Sequence, residues 1–144
     1  MRGQTRLGFA VLLSACAAIP ATNTSAIEGQ WSGTLEGLPA VRLTFEENDG
    51  QLRGAAMFFF IEKNPGKPVT ATATFPEPMI NPAFDGKAVP FGINHRYAHP
   101  PGSLNDAPVY FRFEVTGAGA GRLISPEAPP LEMVRSRYEQ ADRD

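Results

Sequence analysis

Apolar and polar residues alternate along most of this chain, and the period is two. In residues 30–36, Trp31, Gly33 and Leu35 share one parity, and Ser32, Thr34 and Glu36 take the other. In residues 41–47, Val41, Leu43 and Phe45 oppose Arg42, Thr44 and Glu46. Asn48-Asp49-Gly50 follows, a hairpin turn because Asp and Gly tolerate positive φ. Residues 51–62 predict a long strand ending in Met57-Phe58-Phe59-Phe60-Ile61, and Asn64-Pro65-Gly66-Lys67 is the next turn. Residues 69–75 alternate with Thr70, Thr72 and Thr74 on one face; residues 77–82 are Pro-rich and predict irregular backbone. Asp85-Gly86 signals another hairpin before a strand over residues 87–97, with Val89, Phe91, Ile93, His95 and Tyr97 on one face. Residues 109–116 place Val109, Phe111, Phe113 and Val115 inward, and Gly117-Ala118-Gly119-Ala120-Gly121 is a turn. Short strands over 122–125 and 131–135 complete the set, and a polar tail covers 138–144.

From about Glu28 to Arg137 no stretch carries apolar residues at helical spacing free of Gly or Pro, so the pattern predicts an all-β domain of about eight or nine antiparallel strands. An up-and-down β-barrel is the simplest arrangement, since closure removes exposed edges; a β-sandwich is the alternative. Composition agrees. The 14 Gly and 14 Pro among 144 residues disfavour a helical bundle, and a hydrophobic fraction of 42% supports a packed core. A net charge of −2 excludes a basic nucleic-acid footprint. One cysteine excludes an intramolecular disulfide.

Residues 1–26 read as a targeting segment with a tether, residues 27–137 as the barrel domain. Arg2 and Arg6 precede the nine-residue apolar run Leu7 to Ala15, too short to span a bilayer. Leu13-Ser14-Ala15-Cys16 resembles the lipobox of bacterial lipoprotein signal peptides. That resemblance implies lipidation at Cys16 and a periplasm-facing, outer-membrane anchor. Plain secretion, with a cut near Ala21 or after Thr24-Ser25-Ala26, is the alternative.

Gly29-Gln30-Trp31 at the first strand resembles the Gly-x-Trp signature that opens lipocalins and related calycin barrels. The resemblance implies that Trp31 closes the barrel floor with an arginine from a late strand packed over its ring, either Arg122 or Arg135. The second lipocalin signature is echoed only by Asp106 and Tyr110.

Candidate chemistry gathers in residues 94–106, which hold both histidines. On a strand, His95, Tyr97 and His99 point to one side, beyond Val89, Phe91 and Ile93. Apolar walls ending in a few convergent polar groups suit a small ligand. His95, His99 and Asp106 also offer two nitrogens and one oxygen for a metal, although the spacing matches no named zinc motif. A third reading has His99 and Asp106 merely hold the Pro-Pro-Gly loop.

Nucleophile-elbow, P-loop and dinucleotide signatures are missing, and no cofactor is expected. The leading expectation is a non-enzymatic barrel binding a small apolar or amphipathic molecule. Val41, Phe45, Phe91, Ile93, Phe111 and Phe113 line it, with His95, Tyr97 and His99 at the mouth. A barrel of this size can instead be filled by its own 10 Phe. It then acts as an interaction module, with Phe58 and Phe60 as a sticky face. A metal-dependent enzyme at His95, His99 and Asp106 is the third possibility.

Overall fold

A computed structural model describes residues 23–94 and 107–136. The elements are a 3-10 turn at Thr24–Ala26, then β1 (Gly29–Leu35), β2 (Leu38–Asn48), β3 (Gln51–Glu62), β4 (Thr70–Ala73), β5 (Glu77–Pro78), β6 (Ala88–Ile93), β7 (Val109–Gly117), β8 (Ala120–Ile124) and β9 (Leu131–Ser136). The strands pair antiparallel in the order β4-β3-β2-β1-β9-β8-β7-β6. The first and last strands are therefore neighbours, with Trp31 opposite Arg135. The result is an all-β, strongly curled half-barrel sheet, compatible with a lipocalin-like barrel.

Turn chemistry sets the register. Asp49 and Gly50 both take positive φ (51° and 75°) between the paired residues Asn48 and Gln51, the two-residue turn that matches strand twist. Glu36 and Gly37 do the same between β1 and β2 (53° and 78°), where the sequence pattern had run the strand through residue 36. In Asn64-Pro65-Gly66-Lys67, the Lys67 N–H donates to Asn64 O at 3.1 Å and Gly66 has φ 74°, as a proline-initiated turn with glycine third requires.

The Asp49-Gly50 turn also corrects the faces of β3. It pairs Phe45 with Gly54, Leu43 with Ala56 and Val41 with Phe58. Paired residues share a face, so Ala56 and Phe58 point inward with Leu52. Met57 and Phe59 lie on the other face, where the Arg42 guanidinium sits 5.7 Å from the Phe59 ring centroid.

The Pro-rich stretch 77–82 does more than connect. Three steps along β3, from Phe59 to Ala56, face four along the partner, from Ala73 to Glu77, so one residue bulges out between β4 and β5. Phe75 stands there 78% exposed, beside Pro76, which has no N–H to donate. Past the bulge, Met79 N–H donates to Gly54 O at 2.8 Å. Ile80 and Gly92 then exchange two backbone hydrogen bonds of 2.8 and 3.0 Å. This short tie links β3 to β6 across the ends of the curled sheet.

The interior is aromatic. Trp31 meets Phe113 edge-on at 4.8 Å, Phe113 meets Phe45 at 5.4 Å, and Phe111 meets Phe91 at 5.6 Å and Phe58 at 5.7 Å. Burying each such ring is worth about 1.5–3 kcal/mol, and edge-on or offset pairs add about 0.5–1.5. Gly121 makes room for this stack. A Cβ built on it would lie 2.5 Å from Phe113 Cζ.

Candidate functional site

The half-barrel has two ends. The upper end carries the Glu36-Gly37 turn and the junction of β6 with residues beyond Asn94; the lower end carries the Asp49-Gly50 turn and the 3-10 turn. The sequence placed chemistry in residues 94–106, of which 95–106 lie outside the described residues, and the structure places a concavity at the lower end.

The lower end is built by the chain just before β1. Asn23 Oδ1 accepts from Ser25 N–H at 3.0 Å, and Thr24 O accepts from Ile27 N–H at 2.9 Å and Glu28 N–H at 3.0 Å. This compact turn buries Ile27 completely. Trp31 Nε1 donates to Ile27 O at 2.8 Å, so the indole is both buried and hydrogen-bonded. Arg135, across the β1–β9 pair, lies with its guanidinium carbon 5.6 Å from the Trp31 ring centroid. Its Nη2 donates to Ser25 O at 2.8 Å and to Glu28 O. Gly29 is needed here because φ is 103°, a value that residues with a Cβ rarely adopt. Arg122, the other arginine considered for Trp31, points outward and pairs with Glu132 at 2.9 Å.

Residues 23–26, which read as tether, thus belong to the folded domain. Thr24 is buried, and its hydroxyl lies 2.6 Å from Glu28 Oε1 and 2.5 Å from Glu47 Oε2. A threonine hydroxyl carries one hydrogen, while two carboxylates offer four acceptor oxygens. The trio therefore keeps acceptor capacity for an incoming N–H or O–H group. Beside it opens a cleft of about 540 Å³ lined by Thr24, by Glu47 and its cross-strand partner Leu52, by the Gly50 turn, and by Asn81 and Phe84. Leu52 and Phe84 are also packed against the core, so the lining mixes apolar side chains with a carboxylate. A second groove of about 410 Å³ shares Leu52 and Pro82 and runs past Glu46, Arg53 and Met79.

The far wall is held by Asp85, whose Oδ1 accepts from Lys87 N–H at 2.9 Å and Ala88 N–H at 2.8 Å. The Ala88 and Lys87 hydrogen bonds, with Arg112 nearby, hold the Asp85 carboxyl below the usual carboxylate range.

The residues expected to line a ligand chamber are mostly spent on one another. Phe45, Phe91, Ile93 and Phe113 are buried in the shared core, and Phe111 is partly buried against it. None of them lines either cleft. Phe58, which the interaction-module alternative put on an outward sticky face, packs against the core, whereas Phe60 is 45% exposed. His95, Tyr97, His99, Asp106 and Cys16 lie outside the described residues. Among the described residues, no three His, Cys, Asp or Glu side chains are grouped so that they could hold a metal.

Sequence reasoning missed the Thr24–Glu28–Glu47 group. One signal was available: Glu47 continues the inward parity of Val41, Leu43 and Phe45, an odd place for a carboxylate. No protein-family model, curated protein sequence or solved structure is significantly similar to the chain.

Proposed function

We propose that this chain is an exported, non-enzymatic binding module that takes a small amphipathic molecule with a hydrogen-bond-donating, preferably cationic, head. The ligand sits at the lower mouth of the half-barrel, not in its centre. One observation carries the reading: the cleft of about 540 Å³ brings the Glu47 carboxylate and the Thr24 hydroxyl together with the apolar side chains of Leu52 and Phe84. That size falls in the ordinary range for small-molecule sites, and the mixed lining suits a head and a short tail. The aromatic packing of Trp31, Phe45 and Phe113 argues against a ligand deep in the lumen.

Kinship with the lipocalin-like barrels belongs to the same proposal. It is supported by Gly29-Gln30-Trp31 at β1 and by Arg135 stacked on the Trp31 ring. Export rests on the targeting pattern of residues 1–26, and membrane attachment on Cys16 at the end of its apolar run.

The test is a calorimetric titration with two probes of equal tail length, decylammonium and decyl sulfate, below their micelle concentrations. The proposal expects decylammonium to bind more tightly, and Glu47→Gln to erase the preference. Glu47 is exposed, so the discounted charge effect is about 0.5–1 kcal/mol, a preference of roughly two- to fivefold. Equal binding of both probes, or of neither, removes the proposal. The surface-module reading then leads, with Phe75, Phe60 and Val69 as its exposed apolar residues.

A further inference from the structure

We infer that the mature chain begins between Cys16 and Asn23, so that the turn over residues 23–28 stays with the domain and cleavage after Ala26 does not occur. The inference rests on the export proposal, and it chooses among the processing positions the sequence offers. Each of those cuts is a peptide hydrolysis in which water adds across one amide. The upstream residue leaves with a new carboxylate, and the downstream residue keeps a new amine.

After Ala26, that amine would sit on Ile27, which is fully buried. An ammonium there has lost its hydrogen-bond acceptor, because Ile27 N–H donates to Thr24 O at 2.9 Å and Thr24 would be gone. Glu28 N–H, which donates to the same oxygen at 3.0 Å, loses its partner too. Arg135 loses the Ser25 carbonyl that it holds at 2.8 Å, which loosens the guanidinium over Trp31. Glu28 and Glu47 lose the hydroxyl that both of them contact, and are left as two carboxylates facing one space. Four separate supports of the lower end thus depend on Thr24 and Ser25, two residues that a cut after Ala26 removes. A cut before Cys16 or after Ala21 removes none of them.

The experiment expresses the full chain with its own N-terminus in a Gram-negative host and recovers folded protein from periplasm and membrane. The intact mass is then measured. The expected mass places the first residue between 16 and 23, whether Cys16 carries lipid or the chain starts after Ala21. Folded protein beginning at Ile27 overturns the inference and leaves export standing. A chain that keeps Met1 overturns export and the inference with it. Limited proteolysis of the recovered protein gives a second reading: the bonds from Thr24 to Glu28 are expected to resist added protease. Rapid cleavage there without loss of the folded domain would show that the turn is dispensable to the fold.

Discussion

Gly121→Ala is the sharpest test of the packed interior. The substitution adds one methyl group, which would lie 2.5 Å from Phe113 Cζ, 2.6 Å from Cε2 and 3.0 Å from Glu114 O. Phe113 has little room to retreat, since Trp31 stands 4.8 Å away and Phe45 5.4 Å away, all three fully or almost fully buried. Overpacking of this kind costs about 1–3 kcal/mol. Replacing glycine in a strand returns about 0.5–1 kcal/mol of backbone entropy. The expected net loss is therefore about 1–2 kcal/mol, a fall in Tm of roughly 5–15 °C for a domain of this size. Thermal unfolding followed by circular dichroism reads it directly. Phe113→Leu removes the atoms that clash, so in the double variant the two costs should fall short of their sum by about 1 kcal/mol. A Tm for Gly121→Ala equal to or above wild type, or strictly additive costs in the double variant, would refute the account of the core.

Three further outcomes are expected. Arg135→Met keeps much of the side-chain volume but loses the guanidinium over Trp31 and its donors to Ser25 O and Glu28 O. It should cost about 1–3 kcal/mol and move the Trp31 emission to the red, while Arg122→Met, whose partner Glu132 is on the surface, should change neither. Thr24→Val removes the hydroxyl between Glu28 and Glu47 and should lower stability by about 1 kcal/mol in denaturant melts, less so in molar salt, which screens the carboxylates. The Asp85 carboxyl titrates below its ordinary value in the folded state, so its stabilising effect is complete above the unfolded-state pKa of about 4 and is lost as pH falls through the lower folded-state value. The stability gap between wild type and Asp85→Ala should hold at neutral pH and narrow in acid, and a gap that does not shrink as pH falls below the unfolded-state value would contradict the assignment.

Much of the sheet was readable because period-two alternation and turn residues act locally. Asn48-Asp49-Gly50, Asn64-Pro65-Gly66-Lys67 and the glycines around Ala118 each turn the chain where expected. The face of β3 was not readable from its own residues, because Met57 to Ile61 are apolar at every position. Only the count of residues through the Asp49-Gly50 turn decides that Phe58 faces in. The tie at residues 77–80 was equally hidden. Its role depends on pairing with β3 on one side and β6 on the other, contacts between residues far apart in sequence. Thr24 looked like tether because it follows a run of small residues, and its burial and that of Ile27 come from Trp31, Arg135 and Glu47 closing over them. The lower cleft inherits that difficulty, since its walls come from residue 24, from the β2–β3 hairpin and from the segment around Phe84.

The central claim is that ligand binds at the lower mouth beside a filled interior. Methyl and amide NMR of the isotope-labelled protein, titrated with decylammonium, tests it most directly. The account predicts saturable shifts confined to Thr24, Glu47, Leu52, Ala83 and Phe84, with Leu43, Phe91 and Leu123 of the interior unmoved. Shifts centred on Phe91, Ile93 and Phe111, with the lower mouth silent, would contradict it and return the site to the lumen and its upper end.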